Sequence, residues 1–283
     1  MVEISNVVVH PYISICSGAG GLDIGVDRGS GGATVPVCYV EREVTAAATL
    51  VSNITQGTLA DAPIWSDIKT FDFAAWRGQV EGIVGGYPCQ PFSQVGERLG
   101  EADPRNLWNY IEAGIKAIRP VWCFFENVSG HLSLGFTTVA ESLRSMGYEV
   151  AATLVTASEV GASHQRERLF ILAYSRGEGC KRRRGRQRFA NTERRKTSSR
   201  HVGQSIRPLG PYPPSPSDCR WNDVPERLQP SSLKSRLRRL DDGVGGWLDL
   251  SRTDRIRIAG NGVVPEQGAT AWRELWREIA DGT

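Results

Sequence analysis

No apolar run in this sequence approaches the roughly 20 residues that a membrane-spanning helix needs. The longest, at residues 121–125 and 169–173, have the length of buried strands. The first eleven residues carry neither a basic segment nor a long apolar core, so a secretory signal is not expected and a cytoplasmic setting is. Cysteine is sparse: Cys16, Cys38, Cys89, Cys123, Cys180 and Cys219 form no CxxC and no Cys/His grouping. That argues against a disulfide framework and against structural zinc, and no metal is expected. Internal repeats are also absent. With 40% hydrophobic and 23% charged residues, the composition excludes a disordered or fibrous chain.

What is present is an alternation. Residues 12–16, 35–40, 82–85, 121–126, 149–155 and 169–174 are short apolar runs that read as strands. Between them, residues 45–53, 107–118 and 137–146 are longer and amphipathic and read as helices. Strands alternating with helices imply βαβ units, hence an α/β fold with a mostly parallel sheet and helices on both faces. In such sheets ligands bind at the carboxyl ends of the strands.

Beyond residue 174 the texture changes. Residues 176–200 hold eleven Lys or Arg against two acids, and Pro208-Leu-Gly-Pro-Tyr-Pro-Pro-Ser-Pro216 follows. Proline cannot donate ladder hydrogen bonds, so this stretch does not belong inside a parallel sheet. Regular structure is expected again at residues 231–240 and 255–258, and in a closing helix at 265–279. The expected division is a catalytic and cofactor-binding domain at 1–174, a loop-rich insert at 175–240, and a C-terminal segment at 241–283 that returns to the first domain. A nearly neutral body with one strongly basic insert suits a polyanion-binding enzyme.

Two loops carry the candidate chemistry. Ser14-Ile-Cys-Ser-Gly-Ala-Gly-Gly-Leu-Asp23 ends the first strand, and its glycines let backbone approach a ligand. Glu41 follows the second strand, where a carboxylate can accept both ribose hydroxyls. Asp67, after a short third strand, can take an adenine amino group. The third glycine of a GxGxxG spacing is replaced by Asp23, which weakens a nicotinamide reading. The second loop is Gly85-Gly-Tyr-Pro-Cys-Gln-Pro-Phe-Ser93, which fixes Cys89 between two prolines at the functional edge of the sheet. A thiol so placed suits a nucleophile once its pKa is lowered.

These stretches resemble, in order, the motifs of the DNA cytosine-5 methyltransferases. Gly85-Gly-Tyr-Pro-Cys-Gln-Pro-Phe-Ser93 looks like that family's catalytic loop, and Ser17-Gly-Ala-Gly-Gly-Leu22 like its cofactor loop. Glu126-Asn-Val128 is similar to its catalytic glutamate motif, Gln165-Arg-Glu-Arg-Leu-Phe170 to its arginine motif, and Gly260-Asn-Gly-Val-Val264 to its final motif. Two departures are Cys16, where the family usually has a Phe that packs on adenine, and His164, where the family's arginine motif normally opens with Gln.

The resemblance implies a Rossmann-like S-adenosylmethionine-dependent methyltransferase fold with a small target-recognition domain in the insert. It implies methyl transfer from S-adenosylmethionine, leaving S-adenosylhomocysteine, to carbon 5 of a flipped-out cytosine. Cys89 would add to the ring, Glu126 would bind ring nitrogen 3 and the amino group, Arg166 would orient the base, and Arg168 would brace the site. Cys16, Ser17, Gly18, Ala19, Gly20, Gly21, Leu22, Glu41, Asp67, Ile68, Pro88, Asn261 and Val263 would hold the cofactor. Double-stranded DNA is the implied substrate, a cognate restriction endonuclease a candidate partner, and a monomer the expected state. The same catalytic apparatus occurs in some tRNA methyltransferases, so the Cys89 loop leaves RNA open; the basic insert favours DNA. A catalytically dead DNA-binding regulator is the remaining alternative, opposed by the intact Cys89 and Glu126.

Overall fold

The apolar runs pair into one twisted sheet. The computed structural model describes residues 9–88, 107–175 and 260–281. Within them the strands are β1 (His10–Ile15), β2 (Thr34–Val40), β3 (Ile64–Trp65), β4 (Gly82–Gly86), β5 (Trp122–Val128), β6 (Tyr148–Thr156) and β7 (Glu167–Ser175). The helices are α1 (Gly21–Ser30), α2 (Val44–Thr55), α3 (Trp108–Ile118), α4 (His131–Leu134), α5 (Phe136–Ser145) and α6 (Pro265–Asp281). The strand order is β3-β2-β1-β4-β5-β7-β6. Every neighbouring pair is parallel except β5–β7 and β7–β6, which are antiparallel.

Burial on both faces explains why the central strands are apolar without interruption. On β5, Cys123 and Phe125 face a core with α3 and α5, built on Ile111, Ile115 and Leu143. Trp122 and Phe124 face the opposite core, with Leu22 and Val26 of α1 and Trp272, Leu275 and Ile279 of α6. The period-2 alternation of one strand thus fills two layers.

The strands expected between residues 12 and 174 and the helices expected between residues 45 and 146 all appear, with ends displaced by at most two residues. Two features differ from expectation. Strand β5 runs on through Val128, so Glu126 lies inside it, because antiparallel pairing with β7 continues to Val128–Arg168. The closing helix extends to Asp281. The regular structure expected at residues 231–240 and 255–258 lies outside the described residues, as does the expected end of the insert at residue 240. Among the described residues no helix is long and apolar enough to cross a membrane.

The crossover from β1 into α1 brings the sheet edge and the helix start together, and the end of the chain closes over them. Helix α6 lies against α1 at glycine-to-backbone distance. A Cβ on Gly21 would sit 2.5 Å from the Val263 carbonyl oxygen, and one on Gly25 would sit 2.6 Å from the Pro265 carbonyl oxygen. Only glycine allows this approach, and it seats residues 261–263 beside the end of β1.

Candidate functional site

The loop after β1 curls through the left-handed region three times, at Cys16 (φ 49°), Gly18 (φ 57°) and Gly20 (φ 83°). Glycine takes that conformation at no steric cost, whereas Cys16 holds it with a side chain. Glu41, just past β2, keeps the curl closed. Its Oε2 accepts from the Gly18 N–H at 2.8 Å and its Oε1 from the Glu43 N–H at 2.7 Å. Burial raises the Glu41 pKa, and these backbone N–H groups pull it back. From α2, the buried Asn53 donates to the Ala19 carbonyl at 2.9 Å. The sequence reading did not include Asn53, because nothing local marks a helix asparagine as a loop anchor.

Pairing of Val40 with Trp65 puts the ends of β2 and β3 side by side. Asp67 there caps a short 3-10 turn, accepting from the Lys69 N–H at 3.0 Å, and Ile68 is buried behind it. Together these groups set an acid after β2 beside an acid with a buried apolar neighbour after β3.

A cleft opens over the ends of β1 and β4. The glycine loop lines it, with Cys16, Ser17, Gly18, Ala19, Gly21 and Leu22, and so do Gly85, Gly86, Glu126, Asn261 and Val263. Gly20 backs the loop instead, packed on Leu59. Glu41 reaches the cleft through its bond to Gly18, whereas Asp67, Ile68 and the exposed Pro88 stand outside its lining. Cys89 lies outside the described residues.

Glu126 enters from β5. It pairs with Phe170 across the antiparallel ladder, so Arg168, two residues from Phe170, points to the same face at diagonal reach. The Arg168 Nε lies 2.8 Å from Glu126 Oε1, with both side chains largely shielded from water. Burial pushes the Glu126 carboxyl up to about 7, against the pull of Arg168 and Arg166. Its other oxygen lies against Gly86, where an added Cβ would come within 3.1 Å. Arg168 therefore forms a shielded ion pair with Glu126. Arg166 donates through Nη2 to the carbonyls of Gly260 and Gly262, tying the arginine motif to the final motif.

Four further residues were not assigned individual roles from the sequence: Asn127, Tyr87, His131 and Gln267. Asn127 donates to the Tyr87 carbonyl at 3.0 Å, fixing the chain two residues before Cys89 to β5. The Tyr87 hydroxyl meets Nε2 of His131, whose pKa burial pushes down to about 4. Gln267 of α6, fully buried, donates to the carbonyls of Val155 and Arg166 at 2.7 and 2.8 Å. Among the described residues no three His, Cys, Asp or Glu side chains gather as a metal would require.

A parallel sheet with one antiparallel strand inserted next to its edge, a glycine loop after β1 and an acid after β2 define the fold of the S-adenosylmethionine-dependent methyltransferases. Two solved structures share it over nearly their whole length. The S. pombe Dnmt2 methyltransferase aligns with a TM-score of 0.61 at 15% identity, covering 95% of this chain and 99% of that one. The Entamoeba histolytica methyltransferase EhMeth aligns with a TM-score of 0.62 at 14% identity, covering 96% and 99%.

The chain belongs to the C-5 cytosine-specific DNA methylase family, whose model matches residues 11–224. Among curated relatives, the Type II methyltransferase M.NgoPII of Neisseria gonorrhoeae is 33% identical over 168 residues, covering 57% of this chain and 47% of that protein. The Type II methyltransferase M.AluI of Cellulosimicrobium cellulans is 26% identical over 304 residues, covering 96% of this chain and 56% of that protein. The chain spans about half the length of the curated relatives it matches.

Proposed function

We propose that this chain methylates carbon 5 of a cytosine flipped out of double-stranded DNA, with S-adenosylmethionine as methyl donor and Cys89 as nucleophile. The observation that carries the reading is Glu126, a buried carboxyl near neutrality, held by Arg168 in the same cleft as the glycine loop. A carboxyl poised there can hold or share a proton at ring nitrogen 3 and accept from the exocyclic amine.

When bound, S-adenosylmethionine supplies an electrophilic methyl group. Glu41 accepts the ribose hydroxyls, Asp67 accepts from the adenine amino group, and Ile68 packs on the base. The loop from Cys16 to Leu22 lies along the cofactor, with Pro88, Asn261 and Val263 completing its surroundings. The Cys89 thiolate adds to carbon 6, which leaves carbon 5 electron-rich; carbon 5 takes the methyl group, leaving S-adenosylhomocysteine, and its proton passes to water as the bond between Cys89 and carbon 6 breaks. Arg166 orients the base and favours the thiolate. Extruding the cytosine costs a few kcal/mol, which phosphate contacts from the basic insert offset. A restriction endonuclease of matching specificity is the partner this activity calls for.

The test is bisulfite sequencing of DNA from a methylation-free bacterial host expressing the chain, with Cys89→Ala as control. Protected cytosines in one short sequence context, absent from the control, are the expected result. Complete conversion by a soluble chain that binds S-adenosylhomocysteine would overturn the DNA reading and direct attention to RNA.

A further inference from the structure

Asp23, the residue that breaks the dinucleotide-type glycine spacing, is not used by the chemistry above. It stands in the first turn of α1 and is 2% exposed. Its Oδ1 accepts from the Tyr12 hydroxyl at 3.1 Å. Its Oδ2 is sealed from bulk solvent and has no partner among the described residues. Asp23 also lines the cleft, together with Ser14, Ser17, Gly85 and Gly86. A buried carboxyl oxygen without a partner is costly, so its retention inside a ligand cleft needs a reason.

Helix capping does not supply one, because no side chain caps the start of α1. Neither does an ion pair. The groups that favour the Asp23 carboxylate are the Ser14 and Tyr12 hydroxyls and its own backbone N–H, and no cation is among them. Tyr12 of β1 and Tyr39 of β2 are the titratable groups that feel its charge, and neither supplies a positive one. Burial pushes the Asp23 carboxyl up to about 7, as expected of an acid without a counterion. A primary ammonium, compact and carrying three donors, fits such a group.

We infer that Asp23 receives the α-ammonium of the amino-acid end of the cofactor, its Oδ2 accepting one of the three N–H bonds. The inference rests on the cofactor reading above. That reading gives the adenosine end to Glu41 and Asp67, and so leaves the glycine-lined cleft, whose lining includes Asp23, to the amino-acid end.

Calorimetry on the full chain with three ligands tests it: S-adenosylhomocysteine, its analogue with the α-amino group replaced by hydrogen, and 5′-methylthioadenosine, which has no amino acid. The wild type should bind S-adenosylhomocysteine about tenfold or more tighter than the deaminated analogue, the scale of one charge-assisted hydrogen bond. Asp23→Asn should remove that preference while binding the deaminated analogue and 5′-methylthioadenosine as the wild type does. A preference that survives in Asp23→Asn, or an equal loss for all three ligands, overturns the assignment. Should Asp23→Asn fail to fold, Asp23→Ser takes its place, and equal wild-type affinities for the first two ligands overturn the assignment without any variant. Wild-type binding of 5′-methylthioadenosine with no dependence on the amine removes Asp23 alone; absence of binding for all three removes the cofactor reading as well.

Discussion

A carboxyl sealed from water holds its proton, and Glu126 does so against two guanidiniums, its pKa raised by burial from 4.5 to about 7. The consequence for stability has a definite sign. Because the folded-state pKa lies above the unfolded value, the folded chain binds this proton more tightly. The penalty for ionising Glu126 is absent below 4.5, grows as pH rises, and is complete above about 7. Glu126→Gln has no proton to lose. Between about pH 5 and about pH 8 the variant should therefore gain on the wild type, by up to roughly 3 kcal/mol. Asp23, facing the same cleft, titrates in both proteins and cancels from the comparison. Thermal melts of the two proteins at both pH values measure the difference, and parallel pH profiles would mean that Glu126 is solvated. The same variant should also slow methyl transfer by about a hundredfold or more, since it removes a preorganised group at the reacting ring.

At the scale of elements, the site depends on how closely two helices separated by most of the chain can approach. Gly21, Gly25 and Gly29 recur every four residues on α1 and turn one bare stripe toward α6. On Gly29, an added Cβ would come within 2.8 Å of Trp272. Gly25→Ala puts a methyl against the Pro265 backbone, which cannot swing aside as a side chain can, so α6 must shift. The expected cost is about 1–3 kcal/mol, a fall of several degrees in melting temperature, with weaker S-adenosylhomocysteine binding because residues 261–263 move with α6. Gly130→Ala is the control: a Cβ there meets nothing within 4 Å. Equal melting temperatures for the two variants would count against the close crossing. This stripe also marks where the sequence stops being informative. The run at residues 121–125 announces a doubly buried strand by composition alone. The glycines of α1 explain themselves only through a helix more than 230 residues away. The direction of β7 was equally hidden, since parallel and antiparallel strands share one apolar period, and with it the diagonal that sets Arg168 on Glu126. Motif order made Glu41, Glu126 and the arginines legible, whereas the bonds of Asn53 and Gln267 come from packing between segments distant in sequence.

Across the whole molecule, the cleft is where remote parts of the chain meet: the loop after β1, the end of β4, Glu126 of β5 and residues 261–263. Arg166 and Gln267 are the ties. The arginine donates to the carbonyls of Gly260 and Gly262, and the glutamine reaches back to the carbonyls of Val155 and Arg166. A ligand spanning the cleft adds a third tie between the same segments and is available only to the folded state. S-adenosylhomocysteine at about a hundred times its Kd should stabilise the fold by about 2.7 kcal/mol. The gain should also be local, because such a ligand would bridge residues 261–263 to the loop after β1. Hydrogen exchange should slow most at residues 260–264 and in the loop after β1, and least at the opposite end of the sheet, where His10 pairs with Glu81. Gln267→Leu keeps the apolar contacts of α6 but removes both bonds, and should speed exchange at residues 260–264 without ligand while ligand restores much of the protection. If ligand raised the melting temperature yet left residues 260–264 exchanging as before, the cofactor would be held by the first half of the chain alone, and the C-terminal segment would be a brace for the sheet.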